Sequence, residues 1–228
     1  MKIAFLLYPA VTLLDFAGPA QILARLKGAS LHFVAKTKAP VATDAGFSVL
    51  PTDCFNDIQS ADILCVPGGL GSAEAMEDEE IVSWVAKIGT ECQWVTSVCS
   101  GSMVLAVAGL LKGYRATSHW MLRDDLALFG AIPTKERVVF DRNRVTGGGV
   151  TAGIDFGFAL SAAIQGDDHA KLVQLEYEYD PGMPLSGGTP ETAEVHILAQ
   201  AKSNLEYIFP NHHERSIKVA KHLAFGAR

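Results

Sequence analysis

One cysteine in this sequence stands where a nucleophile is expected, at the junction of a strand and a helix. In the segment 96–102 (TSVCSGS) a β-branched run stops at Cys99, and an apolar helical pattern begins directly after it. Ser97 and Gly101, two residues to either side, are small, as a sharp strand-to-helix turn requires. This is the nucleophile-elbow pattern with sulfur in place of oxygen. The helix N-terminus beside the thiol predicts a lowered pKa and a thiolate. The structural alternative is a core cysteine that merely precedes a helix.

Asp15 is a candidate acid or base for this nucleophile. It is the only charged side chain between Lys2 and Arg25, and it follows the first predicted strand. Its neighbours Leu14 and Phe16 are expected to desolvate the carboxyl group and raise its pKa, so that it holds a proton near neutral pH. An ordinary helix N-cap is the alternative role, since aspartate is favoured there.

Glycines after the third predicted strand offer a possible oxyanion hole. The segment 67–71 (PGGLG) allows backbone N–H groups to approach a ligand closely. The amides of Gly69 and Leu70, together with that of Ser100, are predicted to stabilise negative charge there. A simple tight turn is the alternative.

His119 and Trp120 are the remaining candidates for the site. His119, in the segment 117–120 (TSHW), is a possible base for Cys99, although a single histidine is more often a hydrogen-bonded structural residue. Leu14, Phe16 and Trp120 are candidates for an apolar wall around a substrate, or are simply core residues. His212 and His213 are predicted to face solvent, and the sequence offers little support for a metal site.

The other cysteines predict ordinary reduced thiols. Cys54, Cys65 and Cys92 carry no neighbouring motif, and the four cysteines form no C-x-x-C pair and no zinc spacing. Cys65, inside an apolar strand, is expected to be a small core residue. A cytoplasmic protein without disulfides is the simplest interpretation.

The elements that position these residues follow an α/β pattern. Short apolar runs alternate with longer helical patterns, which is typical of a mostly parallel central sheet with helices on both faces. Strands are predicted at 2–8, 30–35, 62–66, 93–98, 137–140 and 144–146, with a small hairpin within 37–50. Helices are predicted at 15–26, 79–88, 100–111, 120–128, 151–165, 168–177 and 191–204. Because parallel strands place their carboxyl ends at one sheet edge, Asp15, Gly69 and Cys99 are expected to meet there.

Length and composition favour a single globular domain over residues 1–228, with a helical extension from about residue 167. Apolar residues make up 49% of the chain and charged residues 19%. The net charge of −6 disfavours nucleic-acid binding. The longest apolar run, Met103 to Leu111, is too short to cross a membrane, and the N-terminal run is interpreted as a buried strand and not a signal peptide.

The motifs, in this order, resemble those of the ThiJ/PfpI superfamily, and within it those of the branch that hydrates isonitriles. The resemblance covers nearly the whole chain and rests on the segments 14–19, 66–69, 98–101, 117–120, 146–149 and 151–155. It implies a flavodoxin-like α/β sandwich, usually a homodimer, with Cys99 as nucleophile and Asp15 as its acidic partner. Peptidases of the superfamily carry histidine after the cysteine, whereas this chain carries Ser100, so peptidase activity is not expected. Regulators that share the domain add a DNA-binding module of roughly 100 residues, for which this chain leaves no room.

The resemblance implies hydration of an organic isonitrile to an N-substituted formamide. Cys99 would attack the isonitrile carbon and form a thioimidate, with Asp15 as acid and base and with no metal or organic cofactor. Two alternatives remain open at this point. One is a glyoxalase-like or hydrolytic activity that uses the same cysteine, and the other is a thiol sensor in which Cys99 is oxidised without turnover.

Overall fold

A seven-stranded sheet forms the centre of the protein in the computed structural model, which describes residues 1–223. The described residues form eleven strands, of which seven make up this sheet and four form two separate pairs, β3 with β4 and β8 with β9. In chain order they are β1 Lys2–Leu6, β2 Ser30–Ala35, β3 Val41–Ala42, β4 Ser48–Val49, β5 Asp53–Cys54, β6 Ile63–Val66, β7 Trp94–Val98, β8 Arg115–Ala116, β9 Ile132–Pro133, β10 Val138–Asp141 and β11 Arg144–Gly147. The order across the sheet is β10-β11-β7-β6-β1-β2-β5, and only the β10–β11 pair is antiparallel. The predicted mostly parallel sheet is therefore confirmed.

The central strands are buried on both faces. β6 is buried along its whole length, and so are residues 3–6 of β1 and 95–98 of β7. Continuous apolar runs such as Ile63-Leu64-Cys65-Val66 are typical of parallel strands covered by helices on each side. The carboxyl ends of β1, β6, β7 and β11 lie side by side, and this edge of the sheet holds the residues predicted to be functional.

Helices cover the sheet in two groups. The helices are α1 Leu13–Leu23, α2 Ser72–Glu77, α3 Glu79–Glu91, α4 Gly101–Val107, α5 Ala152–Gln165, α6 Asp167–Glu176, α7 Val195–Ile208 and α8 His212–His222, with a 3-10 helix at Arg123–Phe129. α1 packs on α5, and α5 packs on α6. The second group contains α2, α3, α4 and α8 with the 3-10 helix. No helix within residues 1–223 combines the length and apolar character that a membrane crossing requires.

The predicted hairpin between residues 37 and 50 is present as the antiparallel pair of β3 and β4. It lies against the loop after β1, because the amide of Ala10 donates a 2.8 Å hydrogen bond to the carbonyl oxygen of Ala42. An isolated bridge between Val11 and Thr43 continues this contact. The hairpin is thereby attached to the segment that leads into α1.

Several element boundaries differ from the sequence prediction. α4 ends at Val107 and not at Leu111, because the chain turns at Gly109, where φ is 77°. α7 runs from Val195 to Ile208, so it begins and ends four residues later than the predicted helix at 191–204. The short helix α2 and the C-terminal helix α8 were not predicted, and the last five residues of the predicted extension, 224–228, lie outside the described residues.

The prediction for His212 and His213 is wrong in part. The His213 side chain is 60% exposed, but its Nδ1 lies 2.6 Å from Asp125 Oδ1. The His212 side chain is only 19% exposed. Both residues open α8, which packs against α2 and the 3-10 helix. This packing covers most of the His212 side chain, whereas His213 faces solvent as predicted and also contacts Asp125.

Gly101→Ala tests the close packing of α4 on the end of β6. A β-carbon on Gly101 would lie 2.0 Å from the carbonyl oxygen of Val66, a backbone atom that cannot move away cheaply. We expect a loss of about 3 kcal/mol in the free energy of unfolding, measured by urea denaturation. Gly182→Ala is the matched control, because a β-carbon there meets no atom within 4 Å. Equal stability of the two variants would contradict the predicted clash.

Candidate active site

Cys99 lies in a sharp turn between β7 and α4. Its φ of 56° is in the left-handed region, which costs a residue with a β-carbon roughly 1–3 kcal/mol. Hydrogen bonds hold this strained backbone. The Cys99 amide donates to the carbonyl oxygens of Gly148 at 2.8 Å and Gly147 at 3.1 Å, and the Ser118 hydroxyl donates to the Cys99 carbonyl oxygen at 2.8 Å. The strand-to-helix turn predicted from the sequence is present, and it fixes the direction of the thiol.

The Cys99 thiol is enclosed, and only 7% of the residue is exposed. Burial raises the pKa of the thiol, and the nearby Asp15 carboxylate raises it further. The amides of Ser100 and Val150 and the Ser100 hydroxyl lower the pKa, but by less. The predicted lowering is therefore wrong in direction, because desolvation outweighs the effect of the helix N-terminus. At neutral pH the sulfur carries its proton.

Asp15 lies in the first turn of α1 and is 1% exposed. Burial raises the pKa of Asp15 to about 7, and the charge of Asp44 adds to this. The Gly68 amide, which donates to Asp15 Oδ2 at 2.8 Å, and the Cys99 thiol act in the opposite direction. The predicted upward shift is confirmed. Asp15 Oδ1 is buried and has no well-formed hydrogen bond within residues 1–223, so it is available to receive a proton.

Gly68 is the contact point between the acid and the nucleophile turn. A β-carbon there would lie 2.6 Å from both the amide nitrogen and the hydroxyl oxygen of Ser100, and 2.9 Å from Asp15 Oδ2. Only glycine fits between these groups. The next residue, Gly69, has a φ of 149°, and a β-carbon on it would lie 2.4 Å from the carbonyl oxygen of Ala10. The loop after β6 is thus pressed against both neighbouring loops.

The predicted oxyanion hole is only partly available. The Gly69 amide donates to Ser100 Oγ at 3.0 Å, so it is already occupied. The Ser100 amide is directed at the Cys99 sulfur, whose pKa it lowers. The Leu70 amide donates no hydrogen bond to any of the described residues, and the Leu70 side chain is 41% exposed. Of the three predicted donors, the Leu70 amide is the one left free for a ligand.

Ser100 links the glycine loop to the sulfur. Its hydroxyl oxygen accepts the hydrogen bond from the Gly69 amide, and the hydroxyl group also lowers the pKa of Cys99 by hydrogen bonding to the sulfur. The hydroxyl group also donates a long 3.4 Å hydrogen bond to the Gly69 carbonyl oxygen, so Ser100 ties the glycine loop to the nucleophile turn. This role needs a hydroxyl group, which either serine or threonine supplies.

His119 and Trp120 line a cleft of about 380 Å³ on the side of Cys99 that faces β11 and α5. Gly148 and Val150, which contact the Cys99 backbone and thiol, line the same cleft. Burial lowers the pKa of His119, so its ring is neutral at neutral pH. Its Nδ1 accepts a long 3.4 Å hydrogen bond from the Met121 amide. The structure thus places both predicted residues beside the elbow.

Of the three residues predicted to form an apolar wall, Phe16 is a core residue with 6% exposure. Leu14 is 37% exposed, on the first turn of α1. Trp120 is half-buried, and its ring lies 5.3 Å from that of His119, centroid to centroid. Leu14 and Trp120 are therefore the two that can contact a substrate.

Three contacts of the site escaped the sequence analysis. The Tyr8 hydroxyl is buried and donates to the Pro67 carbonyl oxygen at 2.8 Å, and the charges of Asp15 and Cys99 contribute to its raised pKa after burial. Tyr8 directly precedes Pro9 at the end of the first predicted strand, which is a usable signal. Val150 acts through its amide, so its side chain gives no signal. Ser118 lies beside His119 in the segment 117–120, and its contact with the Cys99 carbonyl oxygen was not predicted.

The remaining cysteines make contacts of their own outside the Cys99 turn, although Cys65 lines a small internal cavity together with Asp15. Cys65 is buried in β6, as predicted, and burial raises its pKa to about 12. The Cys92 thiol donates to the Ala61 carbonyl oxygen at 3.1 Å, and burial likewise raises its pKa to about 12. Cys54 is half-buried and its thiol donates to Asp57 at 3.2 Å. All four cysteines are free thiols.

The arrangement can carry out addition of a thiol to an electrophile. A buried thiol and a buried carboxyl group face each other, and no cationic side chain within residues 1–223 lies between them. The carboxylate can take the thiol proton as the sulfur attacks, and it can return that proton to the adduct.

Comparisons with known proteins agree with this geometry. The family model described as "DJ-1/PfpI family" matches residues 1–163. The isonitrile hydratase of Pseudomonas putida is 46% identical over 202 residues, which cover 89% of this chain and 89% of that protein.

Solved structures show the same fold. A ThiJ/PfpI family protein from Pseudomonas syringae has a TM-score of 0.90 and 44% identity, over 96% of this chain and 90% of that chain. DJ-1 of Schizosaccharomyces pombe has a TM-score of 0.69 at 20% identity, over 79% of this chain and all of that chain. The second likeness concerns the fold alone, and it confirms the predicted flavodoxin-like arrangement. With a family match over residues 1–163 and a Cys99 elbow beside a buried Asp15, this chain belongs to the DJ-1/PfpI family.

Proposed function

We propose that this protein is an isonitrile hydratase, which converts an organic isonitrile and water to an N-substituted formamide. The observation that carries the proposal is the 46% identity to the isonitrile hydratase of Pseudomonas putida over 89% of both chains. The site supports it, because an isonitrile has no leaving group and needs only a nucleophile and a proton relay at one carbon. Cys99 and Asp15 have those two roles.

The first step forms a thioimidate. The Asp15 carboxylate takes the thiol proton as the Cys99 sulfur attacks the terminal carbon of the isonitrile. The same carboxyl group then transfers that proton to the attacked carbon, so the S–H bond has been added across one atom. Asp15 ends the step ionised, and Ser100 hydrogen-bonds the sulfur throughout.

The second step consumes water. Asp15 takes one proton from a water molecule as its oxygen adds to the thioimidate carbon, and this proton passes to the substrate nitrogen. The carbon–sulfur bond then breaks, the proton of the new hydroxyl group returns to sulfur, and the formamide leaves. The free amide of Leu70 is suited to bind the developing carbonyl oxygen. No metal or organic cofactor takes part in these steps.

The raised pKa of Cys99 favours this enzyme over an oxidation sensor of the same family. Sensor cysteines react as thiolates, with low pKa values and good solvent access. Here burial raises the pKa and leaves the residue 7% exposed. A glyoxalase-like or hydrolytic activity uses the same pair of groups, and substrate comparison separates it from hydration.

A homodimer in the cytoplasm, with a small molecule as its ligand, completes the proposal. Exposed large apolar side chains, among them Leu14, Phe47 and Leu70, support contact with a second copy of the chain. Four free thiols support a reducing compartment. The net charge of −6 supports a small-molecule substrate over nucleic acid.

Cys99→Ala is expected to lower the rate of formamide production by about a thousandfold or more, because the covalent step is lost. Asp15→Asn is expected to lower the rate by about 100-fold to 10,000-fold, because an amide cannot relay the proton. Formamide is measured by chromatography with a panel of alkyl and aryl isonitriles. Cys54→Ala is the control and retains full activity, since Cys54 lies away from the site. An active Cys99→Ala variant, or a parent protein that consumes no isonitrile of the panel, overturns the proposal.

The pH dependence follows from the two pKa values. The reactive form has Asp15 ionised and the thiol protonated, and it becomes populated as the pH rises through the Asp15 pKa of about 7. We therefore expect kcat/KM to rise about tenfold per pH unit in the acidic range and to level off above about pH 8. Acid hydrolysis of the substrate, measured with Cys99→Ala, is subtracted. A rate that falls between about pH 6 and 8 would be the contrary result.

Ser100→Ala removes the hydroxyl group between the Gly69 amide and the sulfur. We expect a loss of about 10-fold to 100-fold in kcat, because the hydroxyl group that lowers the pKa of Cys99 is lost and the Gly69 amide is left without its hydroxyl partner. Ser100→Thr keeps the hydroxyl group and is expected to remain within a few-fold of the parent. Similar rates for the alanine and threonine variants would show that the hydroxyl group has no role.

A further inference from the structure

We propose that Asp44, in the hairpin between β3 and β4, is a positioning residue that holds the loop before α1 and fixes a negative charge beside the Asp15 carboxyl group. Nothing in the reaction requires it to touch substrate. The inference rests on the proposed function only where it gives the Asp15 proton a role in catalysis. The effect of Asp44 on Asp15 itself is expected whether or not the protein turns over an isonitrile.

Asp44 is connected to Asp15 through a closed set of hydrogen bonds. The Thr12 hydroxyl donates to Asp44 Oδ2, and the Asp44 amide donates to the Val11 carbonyl oxygen at 3.1 Å. The Thr12 amide donates to the Gly68 carbonyl oxygen at 3.0 Å, and the Gly68 amide donates to Asp15 Oδ2 at 2.8 Å. The Asp15 amide closes the set by donating to the Thr12 carbonyl oxygen at 3.2 Å. Holding Thr12 therefore holds the first turn of α1 and the glycine loop together.

The hairpin turn that carries Asp44 is itself well anchored. Both the amide and the hydroxyl group of Thr43 bond to the carbonyl oxygen of Phe47, at 2.9 and 2.7 Å. Because the turn is fixed and Thr12 binds the carboxylate, the negative charge of Asp44 has a defined position relative to Asp15. An exposed aspartate without such partners would spread its charge over many rotamers and have little effect.

Few other charges act on Asp15. The ionisable groups that face it are the Tyr8 phenol at the end of β1, the Cys99 thiol and Asp44. Asp155, on the helix α5 that packs against α1, is bound by Arg137 and Tyr179 and is not among the charges that shift the pKa of Asp15. Of these three groups, Asp44 is the one whose negative charge opposes ionisation of Asp15, whereas the hydrogen bond with Cys99 favours it.

The matched variants separate charge from hydrogen bonding. Asp44→Asn keeps an oxygen that can accept the Thr12 hydroxyl group but removes the charge. Thr12→Val keeps the charge and the side-chain shape but releases the carboxylate. Asp168→Asn, an exposed position on α6, removes the same charge far from the site and controls for net charge.

The experiment titrates Asp15 directly, by carbon NMR of protein labelled at the aspartate carboxyl groups, with the Asp15 signal assigned through Asp15→Asn. For Asp44→Asn we expect the Asp15 pKa to fall by on the order of half a pH unit. The acidic limb of kcat/KM is expected to shift by the same amount. Thr12→Val gives a smaller fall, and Asp168→Asn gives none.

The salt dependence of the Asp15 pKa gives a second test, in which the parent protein is compared with Asp44→Asn. Because Asp44 is exposed, added salt screens its charge, so the Asp15 pKa of the parent is expected to fall with salt while that of Asp44→Asn stays constant. An Asp15 titration that is the same in Asp44→Asn and the parent overturns the inference, as does an equal shift in Asp168→Asn. If isonitrile turnover is absent but the shift is present, the proposed function fails and the inference about Asp44 stands.

Discussion

The site depends on one constraint, which is that a thiol and a carboxyl group are buried together without a cation. Cys99 is 7% exposed and Asp15 is 1% exposed. Burial of both groups disfavours a charge on either one. The pKa of Asp15, the first group of the pair to ionise, is therefore raised to about 7. This differs from a cysteine paired with histidine, where the ion pair itself favours the thiolate. Here the pair is built to move one proton, which is the requirement for adding S–H to a carbon that has no leaving group.

The backbone around the pair is as constrained as the side chains. The left-handed conformation of Cys99 is held by the carbonyl oxygens of Gly147, at the end of β11, and Gly148, directly after it, and by the Ser118 hydroxyl group. On the other side, Gly68 separates Asp15 from Ser100 with no room for a β-carbon. Four strand ends thereby supply one site, and a change in any of these loops alters the distance between acid and nucleophile.

The sequence was sufficient to predict the architecture and the central pair. Continuous apolar strands and small residues around Cys99 have strong local causes, so the sheet and the elbow follow from them. The pKa of Cys99 did not follow, because the sequence shows the helix start but not how completely the thiol is desolvated. The oxyanion donors were partly misassigned for a similar reason: the Gly69 amide is used by Ser100, a contact that only the folded loops create. Val150 and Asp44 act through a backbone amide and through a distant hairpin, and neither leaves a motif.

The central claim is that Cys99 stays protonated at neutral pH while Asp15 titrates beside it. The most direct measurement is the ultraviolet absorbance of the thiolate as a function of pH, taken as the difference between the parent protein and Cys99→Ala. The account predicts no thiolate signal from Cys99 between about pH 5 and 9, because burial and the Asp15 charge raise its pKa. A thiolate signal that develops below about pH 7 would contradict it, since the sulfur would then act without receiving help from Asp15.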